Sequence, residues 1–228
     1  MDKKESRHFN ISVEGINCET LYFEHLAKLI NSSGRNTYNL KIDPKKVSPL
    51  DYARRNAFKP NERRKKNQQK LPYIHIQDIE DYYDSFQREK FYAVIDEMRK
   101  AEDQFGISYQ LGYSNYTFEL WMLLHVAEMN HAVQDRRAYL KWVNRWFHRN
   151  FANLDEFKQH DNFQAILDEY VTLDSIQLAI QRAENIVKKN EEDRKTRETY
   201  HGFTFYRDNP DISVHEVVQL ILEVCDIR

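Results

Sequence analysis

The chain has 228 residues, of which 41% are hydrophobic and 31% charged, with a formal net charge of −2. That length allows one large α/β domain, or one domain with a helical appendage. The composition excludes a disordered chain, and the near-neutral balance excludes a global basic field advertising nucleic acid.

Taken in chain order, Phe9-Asn10-Ile11-Ser12-Val13 reads as a short strand closed by the turn signal Glu14-Gly15. Asn17 can cap a helix with Leu21, Tyr22, Leu26, Leu29 and Ile30 at helical spacing, ended by Ser32-Ser33-Gly34. Residues 37–42 read as a second strand, and Asp43-Pro44 and Ser48-Pro49 punctuate the loop after it. Residues 50–70 are strongly basic and helical in part. Pro72 precedes a third strand over 73–76, with Asp78 at its end. Helical periodicity runs over 85–104 through Phe86, Phe91, Val94, Ile95 and Met98, and Gly106 ends it. Ile107 to Leu111 is a fourth strand, followed by Ser114-Asn115 and a helix from about Phe118.

Four alternations of strand and helix imply a mostly parallel sheet with right-handed crossovers. From about 134 onward the pattern is helical only, over 135–149, 153–170, 173–190 and 213–226. The polar stretch 191–209 is expected to be a mobile loop, and no fifth strand is read. The expected fold class is therefore α/β: a mostly parallel sheet flanked by helices over 1–132, and a helical C-terminal region, 133–228, packed on it as one compact unit.

In an open parallel sheet, ligands bind outside the carboxyl ends of the strands. Glu14 follows the first strand; Asp78, Glu80 and Asp81 follow the third; Ser114 and Asn115 follow the fourth. Carboxylates gathered on one edge repel each other, and a hard cation such as Mg²⁺, which takes oxygen ligands and a substrate phosphate, relieves that repulsion. Taken one by one, each acid has a plainer reading as a helix cap or a solvated loop residue.

Three blocks carry a resemblance. The segment from Glu14 to Phe23 is similar to E-G-x-x-T-E-x-x-Y-F. The segment from Ser114 to His125 is similar to S-N-P-x-F-E-L-W-L-L-L-H. Asn209-Pro210 followed by Val214, Val217 and Val218 is similar to N-P-x-x-x-V. In this order they mark the RloB-like family, a Toprim-related family associated with restriction-modification loci and phage defence. The resemblance implies a Toprim-like sheet and a Mg²⁺-dependent nuclease, with Mn²⁺ as an alternative metal. It implies Glu14, Asp78 and Glu80 as catalytic residues and as metal ligands, with Asp81 as a further ligand. Gly15, Ser114, Asn115 and Glu119 are expected behind them or in contact with phosphate. Glu80 stands where the family has a second Asp, Cys18 where it has Thr, and Tyr116 where it has Pro. The alternative expectation is a catalytically inactive module that binds nucleic acid or a protein partner of a defence operon.

The one clear basic cluster, Arg54, Arg55, Lys59, Arg63, Arg64, Lys65, Lys66 and Lys70, is the expected nucleic-acid contact; the competing reading is a solvated helix face or insertion. A second group, Arg136, Arg137, Lys141, Arg145, His148 and Arg149, shares a helix with Tyr139, Trp142, Trp146 and Phe147, most of them expected in the core. His125, with no paired ligand, is expected to be structural. Met1 to His8 has no apolar signal core, no run is long enough to span a bilayer, and Cys18 and Cys225 form no metal or disulfide pattern. The expectation is a cytoplasmic protein without a membrane role.

Overall fold

The computed structural model describes residues 4–57 and 71–227. Its first half runs β1 (Ser6–Phe9), β2 (Ile11–Val13), α1 (Cys18–Ser32), β3 (Asn39–Ile42), β4 (Lys45–Lys46), α2 (Pro49–Asn56), β5 (Tyr73–Ile79), α3 (Ser85–Phe105), β6 (Tyr109–Asn115) and α4 (Glu119–Leu124). The second half runs α5 (Tyr139–Trp146), α6 (Leu154–Phe157), α7 (His160–Tyr170), α8 (Leu173–Glu192), β7 (Arg197–Tyr200), β8 (Phe203–Tyr206), β9 (Asp211–Ile212) and α9 (Val214–Val224).

The main sheet has the order β4-β2-β5-β6-β9. Its first four strands are parallel and β9 is antiparallel at the edge. β1 and β3 pair in parallel as a separate two-stranded sheet. Parallel strands covered on both faces must be apolar on both, and β5 obeys: Ile74 and Ile76 enter one core, Tyr73 and Ile79 the other. The first core takes in α1, α4, α7, α8 and α9; the second takes in α2, α3 and Phe205 of β8.

Two local features explain how the layers meet. Every residue of α4, Glu119–Leu124, is buried, as a helix apolar at every position but its first tends to be. At Gly112 of β6, a β-carbon would stand 2.7 Å from Ile76 Cδ1 and 3.1 Å from Val217 Cγ2. The glycine lets α9 press against the sheet.

The structure corrects several sequence expectations. Residues 197–206 form the β7–β8 hairpin, not a loop. The reason is Phe205, whose ring packs 5.2 Å from Phe91 and 6.2 Å from Tyr113. β9 is a fifth strand of the main sheet, too short to show a period. The third and fourth strands run further than read, so Asp78 lies within β5, and Ser114 and Asn115 close β6. The helix expected over 153–170 is two, α6 and α7, broken at Lys158-Gln159. The one expected over 135–149 is a 3₁₀ turn, Arg136–Ala138, followed by α5. No helix among the described residues is long and apolar enough to cross a membrane.

Candidate active site

At the carboxyl ends of β2 and β5 lies a cleft of about 280 Å³. Its acidic wall is Glu14, Glu19, Asp78 and Glu80; its basic wall is Lys46, Arg136 and Lys158. A larger cavity, about 570 Å³, opens between β6, the hairpin and α9. Volume does not mark the site; the meeting of acids from separate strand ends does.

Glu14 is the first residue beyond β2, and its amide is still tied to Ile76 O at 3.0 Å. Its Oε2 accepts from the Gln77 side chain and from the Asp78 amide at 3.2 Å, while Lys90 of α3 holds Oε1. Gln77 is oriented in turn by a buried chain. Ser12 Oγ lies 2.8 Å from His75 Nδ1, and His75 Nε2 lies 3.3 Å from Gln77 Oε1. Burial keeps His75 neutral, lowering it to about 4.

Asp78 projects from the same strand. Burial raises its carboxyl well above the usual range, and the charges of Glu19 and Glu14 add to that. Its Oδ1 is buried with no hydrogen-bond partner. Glu80, just past β5, pairs with Arg136 at 2.8 Å. Asp81 turns away from the cleft and caps its own loop, accepting from the Tyr83 amide at 2.9 Å.

Glu19 and Lys158 were not singled out from the sequence. Glu19 stands in the first turn of α1 and is buried. Burial lifts its carboxyl to about 7, with repulsion from Glu119 and Glu14 added and Lys158 opposing. Its place depends on Gly15, where a β-carbon would fall 2.1 Å from Glu19 Oε2. Gly15→Ala is therefore expected to expel the Glu19 carboxylate and keep the fold. In a carbon-13 titration the Glu19 carboxyl should move from about 7 toward its ordinary range, with an unchanged circular dichroism spectrum; an unmoved titration would refute the packing argument.

Lys158 reaches the cleft because the chain leaves the helix there. Its carbonyl accepts from Asn17 Nδ2 at 3.0 Å, and its ammonium lies 2.8 Å from Glu119 Oε1. Glu119, on α4, is 1% exposed and also accepts from Thr117 Oγ1. It stands behind the cleft rather than in its lining. Cys18 lines the cleft too, but burial pushes its thiol up, so it is a poor nucleophile.

Other predicted residues fall outside this cleft. Ser114 is buried with its hydroxyl unpartnered, in register with Asp78 across the β5–β6 pair. Asn115 braces the fold by donating to Arg207 O at 3.1 Å. Arg54 and Arg55 sit exposed in the last turn of α2, while Arg63, Arg64, Lys65 and Lys66 lie outside the described residues. On α5, Tyr139 is buried, as is Phe147 just past its end; Trp142 and Trp146 are half-buried beneath Arg145. His125 is structural, contacting Tyr22 Oη at 3.2 Å and Trp121 O at 3.0 Å.

The donor chemistry of the cleft fits a hard divalent cation: oxygen ligands from three segments, and one buried carboxylate oxygen lacking a partner. Among the described residues, no three such side chains are already gathered as a metal cage. Lys90 and Arg136 each hold one of the acids instead.

In comparison with known proteins, the family model described as RloB-like protein matches residues 9–221, a span that includes every acid of the cleft. No curated protein and no solved structure matches the chain.

Proposed function

The chain belongs to the RloB-like protein family, and from that premise we propose that the cleft is a Toprim-like, divalent-cation-dependent centre that cleaves nucleic-acid phosphodiesters in anti-phage defence. The observation that supports this most is Asp78 Oδ1, a buried oxygen without a partner amid other acids. Such a group is costly unless something cationic completes it.

In this reading Glu14, Asp78 and Glu80 hold Mg²⁺ or Mn²⁺. A metal held there would supply Lewis acidity toward a phosphoryl oxygen and a water. The chain's own residues do the rest. Lys46, Arg136 and Lys158 offer positive charge to the phosphate. Glu19, whose carboxyl burial raises above the usual range, is placed to take a proton from the attacking oxygen or give one to the leaving oxygen. The Ser12–His75–Gln77 chain fixes the Glu14 carboxylate.

The test is nuclease activity on DNA and RNA with Mg²⁺ or Mn²⁺, beside Asp78→Asn and Glu14→Ala. Each variant is expected to lose activity by roughly 100-fold or more, in the range of removing one catalytic group, and to remain folded, with the circular dichroism spectrum of the wild type. Full activity in both variants would end this assignment.

A second reading, a nucleic-acid-binding module without catalysis, draws on Glu80 standing in the place of an Asp and lying paired with Arg136. Its signature is binding that falls steeply with salt and ignores Mg²⁺.

A further inference from the structure

Three cations each face one acid at this edge: Lys90 on Glu14, Arg136 on Glu80 and Lys158 on Glu119. They are not equivalent. Lys158 meets a carboxylate that is 1% exposed and sealed behind the cleft. Lys90 and Arg136, by contrast, have side chains 45% and 50% exposed, on acids that line the cleft itself. Lys90 also feels the charges of Glu80 and Asp78, so it sits against the whole cluster. A second positive charge cannot join Glu14 and Glu80 cheaply while these two stay in place. A phosphodiester gives both cations another anion to pair with, and an exposed ion pair is held by little.

We propose that Lys90 and Arg136 are exchanged cations: in the free protein they occupy Glu14 and Glu80, and on substrate entry they swing to phosphate oxygens and release both carboxylates to the metal. This rests on the phosphodiester reading of the cleft and adds a rule to it. Metal and substrate bind with positive coupling, and by linkage each tightens the other by the same factor. Lys90 and Arg136 are positioning residues here, and the quantity they control is affinity for the metal.

The experiment is calorimetric titration with Mg²⁺ of wild type, Lys90→Met, Lys90→Arg, Arg136→Met and Asp78→Asn. Each is measured alone and with a short phosphorothioate oligonucleotide, in DNA and 2′-O-methyl RNA forms. Wild type is expected to bind Mg²⁺ weakly alone and roughly tenfold tighter with oligonucleotide, within the usual range of coupling. Lys90→Met and Arg136→Met should bind it tightly without oligonucleotide and gain little when it is added. Lys90→Arg should behave as wild type. Equal Mg²⁺ affinity in wild type and both Met variants, with and without oligonucleotide but lost in Asp78→Asn, would overturn the exchange and leave the metal site standing. No Mg²⁺ binding by any protein in any condition would overturn the site reading and the exchange together.

Discussion

Glu19→Gln should make the protein more stable at pH 8.5, by roughly 1–3 kcal/mol, the usual cost of a buried group without its partner, and change little at pH 4.5 or below. The sign follows from the direction of the shift. Burial raises the folded-state carboxyl from 4.5 to about 7. The stabilising preference for the protonated form is fully present below 4.5 and is lost as pH rises through 7. Above that, an ionised Glu19 is a buried charge among other acids, and the folded state bears its desolvation cost. Glutamine keeps the shape and cannot ionise, so it removes the cost. For a chain of this length the gain amounts to roughly 2–12 °C in melting temperature. Urea denaturation of both proteins at pH 4.5, 7 and 8.5 reads this directly. Parallel stability curves would show that Glu19 does not titrate as its burial requires. If Glu19 also moves a proton in the reaction, the stabilised variant is the inactive one.

The second large effect has the opposite direction. Lys158→Met leaves the Glu119 carboxylate buried and without its cation, and a buried pair broken on one side costs about 3–5 kcal/mol. The loss also removes a charge that opposes ionisation penalties at Glu19 and Asp78. The double variant Lys158→Met, Glu119→Gln should recover most of the loss, because an amide of similar volume carries no charge to compensate. A double-mutant cycle by urea denaturation at pH 7 measures the coupling. If the double variant is as unstable as the single one, the cost comes from lost packing of the lysine stem rather than from a stranded charge.

Glu14, Asp78 and Glu80 were legible as acids following short apolar runs, with the Glu14-Gly15 turn ending one strand in plain view, and the family resemblance rather than their spacing implied a shared role. Glu19 was hidden in the same segment. An acid in the first turn of a helix is ordinary, since it complements the helix dipole, and nothing local shows that Gly15 draws it into the cleft. Lys158 was illegible for a different reason. It lies in the helical second half, and only tertiary packing brings it to Glu119. The hairpin was missed although Thr199, Tyr200, Phe203 and Phe205 around His201-Gly202 are strand formers; the charges on either side of them outweighed that signal. The parallel sheet and the helical second half were readable because each rests on repetition, which tolerates errors of a few residues at any boundary.

The late arrival of Lys158 has a consequence for synthesis. A ribosome making this protein delivers Glu14, Glu19, Asp78, Glu80 and Glu119 before Arg136 and Lys158, and before β9, which pairs with β6 at Asn115. A nascent chain halted near residue 130 thus carries the acids with two of their counter-charges still unmade. The cleft cannot take its final form until Arg136 and Lys158 have been made, so a product halted before them carries an incomplete centre.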